Sequence, residues 1–179
     1  MPLIGTLAYI APEQTGRMNR SVDTRTDLYS AGVLFYEVLA GALPFNAQDS
    51  MGWVHCHIAK QPEKLSKLNA EIPEILSDIV LKLMSKNAED RYQTATGLKL
   101  DLQECLIQYK ANKEIKPFAL ATKDKSHIFR LSQKLYHRKA QMLDLLKCFD
   151  QAKNGPKQIA LISGVQKTGK TAFVMELNK

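Results

Sequence analysis

The longest apolar pattern in the chain covers residues 26–40, where Pro is absent and Gly occurs once. Its apolar residues fall on every side of a helical wheel, and a helix that is apolar all round is normally buried. The pattern is too short to span a membrane, and it is followed by Gly41 and Pro44, which end helices. We therefore expect a buried core helix that has Asp23 or Thr24 as its N-cap.

Three further helices are indicated by apolar residues at helical spacing. The first has Asp49 or Ser50 as its expected N-cap, and the second starts at Pro73. The apolar anchors of the first are Trp53, Val54 and Ile58. Those of the second are Ile75, Leu76, Ile79, Val80, Leu83 and Met84. The third carries a single stripe formed by Leu98, Leu102, Cys105, Leu106 and Tyr109. The first two thirds of the chain are thus predicted to be mainly α.

The last 42 residues show a different pattern. Residues 138–153 carry Met142, Leu145, Leu146 and Phe149 at the spacing of an amphipathic helix, and Asn-Gly-Pro ends it. Residues 158–163 are a short apolar run that we interpret as a strand. A Gly-rich loop and a second helical pattern follow it. This order predicts the beginning of an α/β domain.

The Gly-rich loop at residues 164–171 reads Gly-Val-Gln-Lys-Thr-Gly-Lys-Thr and matches the phosphate-loop pattern. Gly164 and Gly169 would let the backbone approach phosphate groups. Lys170 would neutralise the β and γ phosphates, and the Thr171 hydroxyl would bind Mg²⁺. The motif predicts ATP and Mg²⁺ as cofactors; the alternative is a Gly-rich turn that binds no ligand.

Three short motifs surround the core helix in fixed order: Gly-Thr-x-x-Tyr-x-Ala-Pro-Glu at 5–13, Asp-Leu-Tyr-Ser-x-Gly at 27–32 and Gly-x-Leu-Pro-Phe at 41–45. Together they resemble the protein-kinase signature set, from the end of the activation segment into the central helix of the C-terminal lobe. The later helices match the last helices of that lobe in order. The resemblance covers residues 4 to about 108 and implies a partial Ser/Thr kinase lobe.

The resemblance also implies roles for individual residues. Thr6 matches the Thr that touches the catalytic Asp and Lys, and Leu7 and Tyr9 lie in the wall of the pocket for the residue after the phosphoacceptor. Glu13 is expected to form a buried ion pair with Arg91. A further structural role, holding the catalytic loop, falls on Asp27.

Residues 129–179 resemble the opening of the AAA-type ATPase domain that follows the kinase in large bacterial signalling proteins. They depart from that family at residues 136–140, where Tyr-His-Arg-Lys-Ala stands in place of the usual Gly-Arg-Glu. The domains expected are a partial kinase lobe at 1–109, a linker at 110–130 and the N-terminal part of a P-loop NTPase domain at 131–179.

Composition is that of an ordinary globular protein, with 45% hydrophobic and 24% charged residues among 179. The net charge of +7 is concentrated in residues 109–139, which hold 9 Lys and Arg against 2 Asp and Glu. Such a stretch can bind nucleic acid, but it has no groove-reading or stacking motif, so we favour a solvated connector. Nucleic acid is therefore not an expected partner.

The Cys and His residues indicate neither a disulfide framework nor a metal site. The three Cys residues are odd in number and widely spaced, which suggests reduced thiols and a cytoplasmic location. Neither a signal peptide nor a membrane segment is indicated. His55 and His57 are two residues apart, so on one helix they cannot hold one metal, and we expect both to be solvated.

The motifs that are absent decide the expected function. The 179 residues contain no kinase Gly-rich loop, no catalytic His-Arg-Asp and no metal-binding Asp-Phe-Gly. We therefore expect a fragment of a multidomain signalling Ser/Thr kinase with an AAA-type module, not catalytically competent alone. Its expected partners are a protein substrate or other domains of the same protein. The alternative is a non-catalytic interaction module with a nucleotide-sensing phosphate loop.

Overall fold

The computed structural model describes residues 6–18, 20–126, 137–166 and 168–176. Within these ranges the chain forms helices and no strand. The α-helices are α1 Arg25–Ala40, α2 Ser50–Ile58, α3 Leu65–Leu68, α4 Glu74–Leu83, α5 Ala95–Asn112, α6 Lys139–Asn154 and α7 Lys170–Met175. Three 3₁₀ turns cover Leu7–Tyr9, Pro12–Thr15 and Ala88–Asp90.

Helix α1 confirms the predicted core helix and its ends. The Asp23 carboxylate accepts a hydrogen bond from the Arg25 backbone N–H at 2.9 Å, so Asp23 rather than Thr24 supplies the capping side chain. The helix ends at Gly41, whose φ of 71° lies in the left-handed region that favours glycine. Within the helix, a Cβ added at Gly32 would lie 2.7 Å from the Leu83 Cβ, so α1 and α4 meet where a side chain does not fit.

The expectation that α1 is buried on every side is wrong. One face packs on α4, α3 and the first 3₁₀ turn. On the other face, Leu34 is 48% exposed and Val38 is 73% exposed. An all-round apolar pattern shows that every face can be buried, but only the neighbouring elements decide which faces are.

The other predicted helices of this lobe are present, with small shifts. Asp49 is the N-cap of α2, since its carboxylate accepts a hydrogen bond from the Gly52 N–H at 2.6 Å. Helix α4 begins at Glu74, with Pro73 as its N-cap rather than its first residue. The one-turn helix α3 has no counterpart in the sequence prediction, because four residues are too few to show a period.

Two apolar clusters hold these helices together. The first joins α1, α2 and α4, and the second joins α1, α4 and α5. The first includes Tyr29, Val33, Tyr36, Phe45, Val80 and Met84. The second includes Leu28, Ile79, Leu83, Tyr92, Leu98 and Cys105. Helix α4 therefore contributes to both clusters, with Val80 in the first and Ile79 and Leu83 in the second.

The solvated connector expected after residue 109 is wrong for residues 113–124, which we call the return segment. Helix α5 continues to Asn112, and the return segment then packs Phe118 and Leu120 against the second cluster. The Ala121 N–H donates to Asp101 at 2.7 Å. Single apolar residues that pack into a core from an irregular backbone show no period along the sequence. Pattern analysis therefore does not detect them.

Asp124 closes the return segment onto the start of α5. Its carboxylate accepts hydrogen bonds from the backbone N–H of Gln93 and from the hydroxyl of Thr94, which is itself the N-cap of α5. A Cβ added at Gly97 would lie 2.4 Å from the Asp124 carboxylate carbon. The glycine in the first turn of α5 thus makes room for this contact.

In the C-terminal part, helix α6 is present as predicted. The strand expected at residues 158–163 is not formed, and there Ile159 is 95% exposed and Leu161 is 92% exposed. A strand needs a neighbour for its backbone N–H and C=O groups, and the described residues offer none. Across the same described ranges, no helix has both the length and the hydropathy to cross a bilayer.

Replacing Asp124 with Ala tests whether the return segment belongs to the folded lobe. The change leaves the Gln93 N–H and the Thr94 hydroxyl without their acceptor, so we expect the free energy of unfolding to fall by about 1 to 3 kcal/mol. Urea unfolding measures this change. Lys123→Ala, at the exposed neighbouring position, should have little effect. Equal effects of the two substitutions would contradict the packing of the return segment on the lobe.

Candidate functional site

The predicted substrate wall, residues 7–10, lies at the surface and is held by two buried residues of its own. Ala8 and Ile10 are buried, whereas Leu7 and Tyr9 are half-buried and Thr6 is exposed. The Tyr9 N–H donates to the Thr6 carbonyl and closes the 3₁₀ turn. The turn therefore presents Leu7 and Tyr9 at the surface while Ala8 and Ile10 attach it to the lobe.

Helix α1 holds Tyr9 at two points. The Ser30 hydroxyl donates to the Tyr9 carbonyl at 2.8 Å. The Tyr9 hydroxyl donates to the Glu37 carboxylate at 2.6 Å. This hydrogen bond and, to a lesser extent, burial raise the pKa of the Tyr9 hydroxyl. Both the main chain and the side chain of Tyr9 are thus tied to the same helix.

His57 holds the other end of the wall, and the expectation that it is solvated is wrong. It is fully buried, and its Nε2 lies 3.0 Å from the Leu7 carbonyl oxygen. Its ring stacks on Trp53, with 6.0 Å between centroids. The neighbouring His55 is exposed as expected. One signal was available: His57 follows the apolar anchors Trp53 and Val54 by four and three residues, so it shares their helix face.

The surroundings of His57 favour its neutral form. The pKa of its imidazole is lowered to about 4, first by burial and then by the charge of Lys86. The Lys86 ammonium lies 4.7 Å from the centre of the Phe45 ring. The same burial lowers the pKa of Lys86 to about 8. His57 therefore stays uncharged at neutral pH.

The ion pair predicted between Glu13 and Arg91 is present. It is bidentate: Arg91 Nη1 lies 2.7 Å from Glu13 Oε1, and Nη2 lies 2.8 Å from Oε2. Both side chains are almost fully buried. Burial acts to raise the pKa of Glu13, but the hydrogen bonds and charge of Arg91 outweigh it, and the net pKa is lowered. The Thr26 hydroxyl donates to the same carboxylate at 2.8 Å.

Asp27 lies apart from this arrangement. It is exposed in the first turn of α1, on the same face of the helix as Leu34 and Val38. The structure thus brings Glu13, Arg91 and the wall together around α1 but leaves Asp27 at the surface. Its role in holding a catalytic loop stays a prediction.

The described residues of the Gly-rich loop surround the end of one lysine side chain. Lys170 Nζ donates to the carbonyls of Gly164 and Val165, each at 2.8 Å. The Thr168 hydroxyl also donates to the Val165 carbonyl at 2.8 Å. Gly169 has a φ of 79° and precedes α7. The side chain of Lys170 therefore already points to the centre of the loop, while Thr171 is exposed.

A cavity of about 570 Å³ lies beside this loop, between α6 and residues 160–164. Its lining includes charged, polar and apolar groups, among them Arg138, Asp144, Cys148, Ser163, Lys170 and Phe173. This volume is within the usual range of small-molecule sites. In the part of the chain that the structure describes, no three His, Cys, Asp or Glu side chains converge to hold a metal. The role of Thr171 as a Mg²⁺ ligand stays a prediction.

Comparison with known proteins identifies relatives of both parts of the chain. The protein kinase domain family matches residues 1–102. Hybrid signal transduction histidine kinase G of Dictyostelium discoideum is 36% identical over 194 aligned positions, covering 97% of this chain and 6% of the relative.

Bacterial serine/threonine-protein kinases match the first part. PknB of Mycobacterium tuberculosis is 39% identical over 100 residues, covering 56% of this chain and 16% of PknB. PksC of Streptomyces coelicolor is 33% identical over 104 residues, covering 58% of this chain and 18% of PksC. The chain thus spans only 6 to 18% of the length of these three relatives.

Arg91→Ala tests the energetic weight of the ion pair. It leaves the buried Glu13 carboxylate without its partner, and we expect the free energy of unfolding to fall by about 3 to 5 kcal/mol. Chemical unfolding followed by circular dichroism measures the change. The control is Lys147→Ala, which breaks an exposed ion pair with Asp144 and should change the midpoint little. Similar midpoints for the two variants would contradict a stabilising buried pair.

The low pKa of His57 predicts acid sensitivity. Between its folded pKa of about 4 and its ordinary value of 6.5, the unfolded chain binds a proton that the folded chain does not. The free energy of unfolding should therefore fall by about 2 to 3 kcal/mol as the pH is lowered through this window.

Unfolding by urea at a series of pH values measures this loss. The lowered pKa of Glu13 adds a further loss only below about pH 4.5, its ordinary value. His57→Gln, which cannot titrate, should flatten the slope between about pH 6.5 and 4.5. An unchanged slope in this variant would show that other groups cause the acid sensitivity.

Proposed function

Because this chain belongs to the protein kinase domain family, we propose that it provides the peptide-facing part of a Ser/Thr kinase C-terminal lobe, joined to an ATP-binding module of the AAA type. The observation that best supports the peptide role is the anchored wall at residues 7–10. Leu7 and Tyr9 stay accessible while hydrogen bonds from α1 and α2 fix their main chain. A preformed wall of this kind binds a peptide at little ordering cost.

The half-exposed side chains of the wall define what it can bind. Leu7 presents an aliphatic group and Tyr9 an aromatic ring, so the peptide residue that follows the phosphoacceptor would pack against apolar surface. Thr6 adds an exposed hydroxyl beside them. The partner proposed for this surface is a protein substrate or another domain of the same signalling protein, in the cytoplasm.

The C-terminal part is proposed to bind ATP with Mg²⁺. The Lys170 ammonium is held by two loop carbonyls. Phosphate oxygens could replace these carbonyls as acceptors of its hydrogen bonds. The Thr171 hydroxyl is an oxygen ligand of the kind Mg²⁺ prefers. The adjoining cavity is large enough for the rest of a nucleotide. Similarity to the Dictyostelium relative also extends across this part of the chain.

This chain alone is proposed not to transfer phosphate to protein. Phosphoryl transfer depends on positioning the nucleotide and on neutralising the charge of its γ-phosphate. In kinases those tasks fall to the Gly-rich loop, the His-Arg-Asp motif and the Asp-Phe-Gly motif, none of which occurs in these 179 residues. Without these groups the wall at residues 7–10 can only orient a peptide.

Titration with a fluorescent ATP analogue in the presence of Mg²⁺ tests the ATP-binding part of the proposal. We expect weak binding by the unmodified chain and an affinity at least about tenfold lower for Lys170→Ala, since one charge-assisted contact to phosphate is lost. Lys157→Ala, outside the loop and exposed, is the matched control and should bind like the unmodified chain.

Equal affinity of the unmodified chain and Lys170→Ala would exclude the loop as a phosphate site. The same preparations, incubated with radiolabelled ATP and a generic basic protein, should leave that protein unlabelled. Robust labelling by the 179-residue chain would contradict the proposal that it lacks transfer activity.

A further inference from the structure

We infer that His57 is a positioning residue for peptide selection. Its hydrogen bond to the Leu7 carbonyl fixes the position of the Leu7 side chain, and that position determines which peptide residue is preferred after the phosphoacceptor. This inference rests on the proposed peptide role of the wall. It gives a function to a buried polar side chain that lies outside the kinase motifs of residues 5–45.

The hydrogen bonds around His57 define its tautomer. The Leu7 carbonyl can only accept, so Nε2 carries the proton and donates at 3.0 Å. Nδ1 is then the acceptor, and the Tyr29 hydroxyl, also at 3.0 Å, must donate to it. A continuous path of hydrogen bonds therefore runs from Tyr29 in α1, through His57 in α2, to the main chain of Leu7.

This path holds the main chain of Leu7, whereas α1 holds Tyr9. Tyr9 receives a hydrogen bond from Ser30 and gives one to Glu37, both in α1. Leu7 is held from α2 by His57. Leu7 and Tyr9 are thus attached to different helices, Leu7 to α2 and Tyr9 to α1.

The charges that face His57 keep its imidazole neutral, so that Nδ1 does not become a second donor. The Lys86 ammonium donates to the Cys56 carbonyl, and it lies 5.9 Å from the centre of the Tyr29 ring. The Arg91 guanidinium lies 4.9 Å from the same ring. Two cations around this buried pair disfavour a third on the imidazole. Nε2 therefore remains the donor and Nδ1 the acceptor at neutral pH.

A purely structural role for His57 would make a different prediction from a positioning role. If the ring only filled space, its replacement would lower the affinity for every peptide by the same factor, through the folded fraction. If it positions Leu7, replacement would change the ratio of affinities between peptides that differ only at the residue packed against Leu7. The ratio therefore distinguishes the two roles.

The test is an NMR titration of the ¹⁵N-labelled 179-residue chain with two peptides. They share a central Ser and differ only at the next residue, Leu in one and Asp in the other. The unmodified chain should prefer the Leu peptide by about fivefold or more, because the wall is apolar. In His57→Leu the ratio should fall to within about twofold, since the Leu7 carbonyl loses its donor.

Two variants separate positioning from packing. His57→Gln keeps an N–H that can reach the Leu7 carbonyl, and it should recover at least about half of the preference. Val80→Ala is the matched control. Val80 belongs to the first apolar cluster, as do Tyr29 and Phe45, whose rings lie beside His57, whereas Leu7 is not part of that cluster. Its ratio should equal that of the unmodified chain. An equal fall in Val80→Ala would show general loosening and would overturn the role of His57.

The outcomes also separate this inference from the proposed function. If the unmodified chain binds neither peptide, or both equally, the peptide role of the wall is overturned. If it is selective and His57→Leu is equally selective, only the inference about His57 is overturned. Should His57→Leu not fold, Tyr29→Phe removes only the hydroxyl that donates to Nδ1. Its ratio should fall at least about twofold, and an unchanged ratio would overturn the inference.

Discussion

The buried ion pair between Glu13 and Arg91 is the interaction on which the rest of the lobe depends. It joins residues 78 positions apart, and both side chains make further hydrogen bonds. Glu13 also accepts from Thr26, and Arg91 also donates to the carbonyls of Ser85 and Arg25. Burying two charges is costly, and the cost is offset only when the remaining hydrogen-bonding groups are paired. Here one pair connects the turn before α1, α1 itself and the loop after α4.

From this pair a continuous set of contacts leads to the wall at residues 7–10. The Arg91 guanidinium lies against the Tyr29 ring, the Tyr29 hydroxyl reaches His57, and His57 reaches the Leu7 carbonyl. The chain from Leu7 to Glu13 is thus attached at both ends to the same polar network. This arrangement explains how a surface segment with little regular structure can keep a defined shape.

The return segment and the Gly-rich loop show two further uses of side chains to hold irregular backbone. In the first, the Asp101 carboxylate accepts the Ala121 N–H of the segment, and the Asp124 carboxylate of the segment accepts the Gln93 N–H. In the second, Lys170 donates to carbonyls of its own loop. The aspartates join two segments of the lobe, whereas the lysine closes its own loop.

The sequence alone determined which segments form helices, because period, caps and glycine stops are local properties of α1, α2, α4, α5 and α6. It also predicted the partner of Glu13, since the motifs at both ends were recognisable.

Burial required the tertiary structure. An apolar stripe cannot tell which of its faces meets a neighbour, so the exposure of Val38 and the burial of His57 were missed. The same holds for the packing of residues 113–124 and for the absence of a strand at 158–163, because both depend on partners that lie elsewhere in space rather than nearby in the chain.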